Sequence, residues 1–125
     1  MTNIQSINEI VNLPDNSSVV ISGGIGEIRR IPTLKDPTKF LQVGFIKDLS
    51  GEVEFVVFDK VRKKYNSLIK PGKKVIITGM YNKREDKAPY IIVKDIMPFY
   101  ENLYKELYYK NFKKLTSKVN LEKDM

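Results

Sequence analysis

The sequence predicts an all-β domain with flanking helices. Five short strands close into a Greek-key barrel, with one helix between strands three and four and a long helix at the C-terminus. Three observations carry this. Runs rich in β-branched residues recur five times, separated by turn and loop chemistry. Between the third and fourth runs the apolar spacing becomes helical. The first and longest run is broken by glycines, which mark a bulge or sharp bend, as a strand coiling around a small barrel requires.

In chain order, Ile4, Ile7, Ile10 and Val11 recur at helical spacing before Pro14, predicting a short amphipathic helix over Ile4 to Leu13. Asp15-Asn16-Ser17-Ser18 is turn chemistry. Val19 to Ile31 is the first strand, containing Gly23, Gly24 and Gly26, and Pro32 to Thr38 is a loop. Phe40 to Lys47 is the second strand, Asp48-Leu49-Ser50-Gly51 a hairpin-length turn, and Glu52 to Phe58 the third strand. The alternation Glu52, Val53, Glu54, Phe55 predicts one wet face and one buried face. Asp59 is placed to cap a helix carrying Val61, Tyr65, Leu68 and Ile69, which Pro71-Gly72 stops. Lys73 to Tyr81 is the fourth strand, Asn82 to Ala88 a charged loop, and Pro89 to Met97 the fifth strand. From Phe99 to Val119 the apolar residues Phe99, Leu103, Leu107, Phe112 and Leu115 predict a long amphipathic helix. The barrel is thus expected over residues 1–98, and the helix and tail over 99–125. A split sheet with flanking helices has the same element order, and pattern alone leaves both open.

Composition bounds the chemistry. Lys and Arg number 22 against 15 Asp and Glu in 125 residues, a formal charge of +7 that attracts polyanions, nucleic acid first. Cysteine and histidine are absent, so zinc sites, thiol nucleophiles and Ser/His triads are excluded. Asp48, Asp59, Glu52 and Glu54 have turn, cap and wet-face roles rather than a convergent metal-binding arrangement. No Gly-Lys-Ser/Thr follows the strand-one glycines, so they make no phosphate loop. We expect no metal, no cofactor and no catalysis. No apolar run is long enough to span a membrane, and the N-terminus does not read as a signal peptide, so a cytoplasmic protein without membrane contact is expected.

Several segments, taken in order, carry a resemblance. They are Val20-Ile21-Ser22-Gly23, Arg29-Arg30, Phe45 through Glu54 with its Asp-x-x-Gly turn, Val56-Val57-Phe58, Lys74 through Gly79, and Tyr90-Ile91-Ile92-Val93. Together they resemble the OB-fold nucleic-acid-binding domain of bacterial replicative polymerase alpha subunits. They are also similar to the anticodon-binding domains of aspartyl-, asparaginyl- and lysyl-tRNA synthetases. The first loop departs from that pattern with Asp36-Pro37, and no polymerase or synthetase portion is present, which suggests a free-standing module.

The resemblance implies binding on strands two and three and on the loops after strands one and four. Arg29, Arg30, Lys35 and Lys39 come from the first loop region, and Phe40, Phe45 and Lys47 from strand two. Tyr81, Lys83, Arg84, Lys87 and Tyr90 come from the fourth-strand loop. Lysine and arginine would neutralise phosphates while aromatic rings stack on bases. Each has a plainer reading. Arg29 and Arg30 can simply solubilise a strand end, and Lys83, Arg84 and Lys87 can pair locally with Glu85 and Asp86. Tyr81 and Tyr90 can be cross-strand partners. Phe40 and Phe45 lie five apart, so one is expected in the core and one exposed. In the last segment Tyr100, Tyr104 and Tyr108 run beside the apolar stripe, suggesting a self-association or partner helix. The expected function is a non-catalytic single-stranded DNA-binding protein, accessory to replication, recombination or repair of a small or mobile replicon. An RNA- or tRNA-binding module and an assembly subunit that has lost nucleic-acid binding stand as alternatives.

Overall fold

The structure, a computed structural model, describes residues 4–99. The long C-terminal helix expected from the sequence, with Leu103, Leu107, Phe112 and Leu115, lies outside the described residues. Five strands, β1 (Ser17–Pro32), β2 (Phe40–Lys47), β3 (Glu52–Val57), β4 (Lys74–Asn82) and β5 (Tyr90–Pro98), close into a barrel in the order β1-β2-β3-β5-β4. The closed ladder decides for the barrel over a split sheet.

Closure rests on β1. Its first half, Ser17 to Gly24, pairs antiparallel with β4, and its second half, Gly24 to Pro32, pairs antiparallel with β2. Gly24 is the hinge, partnered with both Lys74 and Lys47. The register slips between Ile25 and Ile28, the bulge that the glycine run announced. β3 and β5 pair in parallel, and β4 and β5 antiparallel. Alternate side chains fill the interior: Val19 and Ile21, Ile46, Val53, Phe55 and Val57, Val75, Ile77 and Tyr81, Ile91 and Val93.

Space inside is tight enough to select glycine. A Cβ on Gly79 would sit 2.3 Å from the Ile92 carbonyl oxygen, where β4 and β5 slip register. One on Gly44 would meet the Phe55 ring at 3.0 Å, so the missing side chain makes room for the largest apolar group of β3.

Two short helices lie near opposite ends of β3. α1 spans only Ile7–Ile10, shorter than the sequence suggests. Ser6 and Glu9 form a reciprocal capping box that starts the helix there. Ile4 and Gln5 stay extended beside β1, where the Gln5 backbone N donates to Val20 O at 2.7 Å and the Val20 N donates to Gln5 Oε1 at 3.1 Å. α2 spans Asp59–Tyr65 and packs Val61 and Tyr65 against the core. Asp59 is not its cap: Phe58 holds the N-cap position without a side-chain bond, and Asp59 is the first helical residue. There it pairs with Arg62 at 2.6 Å and Lys63 at 3.4 Å. The Arg62 hydrogen bond, followed by Lys63, holds its carboxyl below the usual carboxylate range. The helix ends at Tyr65 rather than running to Pro71-Gly72.

Asp48 joins α1 to the barrel. Its Oδ2 accepts from the Ile7 backbone N at 2.9 Å, and its Oδ1 accepts from the Ser50 N, the Ser50 hydroxyl and the Gly51 N at 2.7, 2.6 and 3.0 Å. Partial burial alone would raise its pKa. The bonds from Ser50, Ile7 and Gly51 outweigh burial and hold the carboxyl below its ordinary value.

Two outcomes follow from this packing. Gly79→Ala should lower stability by about 1–3 kcal/mol while Gly24→Ala, with open space at its Cβ, stays within about 0.5 kcal/mol, read from urea midpoints. Asp48→Asn should also cost stability at neutral pH. A depressed carboxyl contributes stability above its unfolded value, about 3.9, and loses it as pH falls through the folded value. The wild-type acid limb should therefore be steeper than that of Asp48→Asn when stability is followed below about pH 5.

Candidate nucleic-acid interface

Strand alternation fixes which side chains leave the barrel. On β2, Gln42, Gly44 and Ile46 share the inward parity, so Val43, Phe45 and Lys47 share the outward one. Cross-strand pairing then lays out an external face in rows. Lys47 opposes Glu52; Phe45 opposes Glu54, which opposes Tyr90; and Arg29 opposes Val43, then Val56, then Ile92. Arg29 on β1 and Tyr90 on β5 thus both have outward parity, on adjoining rows that run across β2 and β3. The β1–β2 and β4–β5 loops adjoin the two ends of this stretch of wall, at β1 and β5.

Phe45 is the open ring of this face, 41% exposed. Phe40 behaves differently from the expectation that one of the two phenylalanines is core, since neither is. Phe40 has inward parity but stands at the first position of β2, at the barrel rim. Its ring is covered instead by the Arg30 guanidinium at 4.6 Å and the Arg62 guanidinium at 4.1 Å. This occupancy argues against Phe40 as a base platform. It also separates Arg30 from Arg29: adjacent strand residues point oppositely, and Arg30 belongs to the rim with α2. Arg62 was not singled out by the sequence, because nothing in local spacing links an α2 arginine to the start of β2.

Tyr81 is a correction. It is 1% exposed, packed among Ile77, Ile91 and the other core residues, so no base reaches its ring. Burial raises its phenol pKa above the ordinary value. Tyr81 pairs with Ile91, not with Tyr90, so the two tyrosines are not cross-strand partners either. Tyr90 pairs with Asn82 and is half-buried on the outer face.

Arg84 covers Tyr90. Its guanidinium lies 4.6 Å from the ring centroid, donates to Glu54 Oε1 at 3.2 Å, and donates through Nε and a terminal nitrogen to the Ala88 carbonyl. Its partner is Glu54 on β3, not the neighbouring Glu85 or Asp86. Arg84 therefore folds the β4–β5 loop down onto the face and neutralises a carboxylate that would repel phosphate. The loop base is fixed separately, the Lys83 N donating to Asp15 Oδ1 at 2.8 Å. The side chains of Arg29, Lys35, Lys39, Lys47, Lys83 and Lys87 are all exposed. In the β1–β2 loop, Asp36 accepts from the Thr38 hydroxyl and backbone N at 2.6 and 3.0 Å. That turn, at the position where the sequence departs from the resembled pattern, orders the loop carrying Lys35 and Lys39.

A closed five-stranded barrel with this strand order and a cation-rimmed outer face defines an oligonucleotide-binding type of module. A family model described as the OB-fold nucleic acid binding domain matches residues 25–99, and the chain belongs to that family. Solved structures with the same fold include asparaginyl-tRNA synthetase from Pyrococcus horikoshii, at 17% identity and TM-score 0.63 over 79% of this chain but 23% of that one. The second OB-fold domain of replication protein A from Methanococcus maripaludis matches at 18% identity and TM-score 0.58, over 78% of this chain and 95% of that one. The mitochondrial single-stranded DNA-binding protein Rim1 of S. cerevisiae matches at 17% identity and TM-score 0.53, over 68% and 97%. No curated protein sequence matches the chain. Among the described residues no helix is long and apolar enough to cross a membrane.

The Arg84–Glu54 contact is about one-third exposed on the arginine side, so solvent screens it. A double-mutant cycle with Arg84→Gln and Glu54→Gln should give a coupling below about 1 kcal/mol by denaturation.

Proposed function

We propose that the chain binds single-stranded DNA on the outer face of β2, β3 and β5, and catalyses nothing. The observation that carries this is the row Phe45–Glu54–Tyr90, in which an exposed ring stands beside a carboxylate already neutralised by Arg84. Arg29 and Lys47 flank that row, and the lysines of the two loops extend beyond it. Rings that stack on any base, joined to cations that track the backbone, suit a flexible strand and read little sequence. Two of the structural neighbours, a single-stranded DNA-binding protein and replication protein A, support the reading and a place in replication, recombination or repair. A small or mobile replicon fits the compact module, and the cytoplasm fits such a role.

The test is a fluorescence-anisotropy titration with labelled oligo-dT, with unlabelled RNA of matching length and unlabelled duplex as competitors. Single-stranded DNA should compete best, and binding should weaken steeply with salt. Phe45→Ala should lose about 1–3 kcal/mol of binding, and Arg29→Ala with Lys47→Ala should flatten the salt slope by about one to two. Stronger competition by RNA would move the assignment to an RNA-binding module, and an unchanged affinity in all these variants would remove this face from the site.

A further inference from the structure

Two braced turns each hold a leucine out into solvent. Leu34 in the β1–β2 loop is 104% exposed, and Leu49 in the β2–β3 turn is 109% exposed. Neither turn is loose. Thr33 closes the first, its hydroxyl donating to Asp36 O at 2.7 Å and its backbone N to Lys39 O at 3.0 Å, while the Asp36 carboxylate folds back onto Thr38. Asp48 clamps the second through Ser50 and Gly51. An apolar side chain fixed in this way gains free energy when a partner removes it from water.

Leu49 stands on the wall of a groove of about 970 Å³, lined also by Ile25, Phe45 and Phe99. Phe99 is not helical, as the sequence suggested: it follows β5, and its backbone N donates to Lys74 O at 3.0 Å. Glu9, Asp48 and Glu52 line the groove against Lys47 and Lys74, an acidic balance on a chain of formal charge +7. The β1–β2 loop carries the complement, since exposed Lys35 adjoins Leu34 and exposed Lys39 ends the loop. That loop leads into Phe40, whereas the groove lies at Phe45, Lys47 and the turn beyond them. The two features therefore sit at opposite ends of β2, about 23 Å apart by strand rise. Leu34 cannot reach the groove of its own chain, but it can reach that of another copy.

We infer that Leu34 of one copy seats in the groove of the next, against Leu49 and Ile25, with Lys35 and Lys39 directed toward Glu9 and Glu52. Two different patches meet, so the contact is head-to-tail, and each added copy presents a fresh loop at one end and a fresh groove at the other. One loop in one groove buries less than a standard interface, which makes the contact weak and reversible. It needs no nucleic acid, although copies lined up on one strand would be held at the local concentration it requires.

Sedimentation of the full-length protein without nucleic acid tests this. The wild-type sedimentation coefficient should rise reversibly as concentration approaches the millimolar range. Leu34→Asp and Leu49→Ser alter fully exposed residues and should leave the thermal midpoint in place. Each should nonetheless weaken association about tenfold or more, whereas Leu34→Met should preserve it. The deciding arm mixes the two variants: Leu34→Asp retains an intact groove and Leu49→Ser an intact loop, so together they should form a one-to-one dimer that grows no further. A wild type that stays monomeric, or association unmoved by either substitution, would overturn the inference. So would a mixture no more associated than its components, which would mean that like patches meet.

Discussion

Closing five strands into a barrel obliges one strand to serve two neighbours, and everything else in this molecule is arranged around how β1 does so. An open sheet would leave the first half of β1 and the last strand with unpaired edges. Here β1 turns at Gly24, where Lys74 and Lys47 pair to the same residue, and the neighbouring Gly23 lets β2 approach, since a Cβ there would sit 2.3 Å from the Lys47 carbonyl oxygen. That single hinge fixes the register of β2, and through it the register of β3 and β5. A slip of one residue on β2 would bury Phe45 and Lys47 and expose Ile46. The identity of the outer face is therefore a consequence of closure.

The same closure explains why the two helices are short. With the walls made by strands, the helices need only seal open ends, and a few apolar residues do this for each. Ile7 and Ile10 enter the core from a single turn whose ends are held by side chains, the Ser6–Glu9 box and the Asp48 carboxylate. α2 contributes Val61 and Tyr65, then leaves the helix so that Leu68 and Ile69 can continue inward along irregular chain. Helical spacing found the sealing residues Ile7, Ile10, Val61 and Tyr65, but it overestimated length and also took in Val11, which is exposed, and Ile4, which precedes the helix, because spacing does not record whether the backbone between apolar residues remains helical.

Strand existence and the bend in β1 were legible because β-branched alternation and the glycine run both answer to backbone geometry, whereas the choice of barrel over split sheet needed the closed ladder itself. Side-chain facing was legible in part. Tyr81 continues the parity of Val75, Ile77 and Gly79, so the alternation already places it inside, and only its polar hydroxyl and its position beside a loop suggest otherwise. β2 was harder: Gln42 and Gly44 sit on the inward side, where a hydrophobicity pattern looks for aliphatics, and Gly44 is there because Phe55 from another strand fills its place. Such three-dimensional compensation has no local signature. Nor did the Arg84–Glu54–Tyr90 cluster, whose members come from a loop and two strands brought together only by the parallel β3–β5 pairing.

The cations consequently divide into two populations with different work. Arg30, Arg62 and Arg84 are engaged with rings or carboxylates of the protein itself, and planar guanidinium suits both contacts. The exposed Lys35, Lys39, Lys47, Lys83 and Lys87, joined by Arg29, face solvent. Lysine is a point charge on a flexible stem, which neutralises phosphate without demanding a fixed geometry. Removing an engaged arginine would alter the shape of the face, whereas removing an exposed lysine would alter only its field. On the proposed reading, a surface built this way would hold a charged strand through many weak, interchangeable contacts, and discrimination among sequences would fall to rings the barrel fixes in place, such as Phe45.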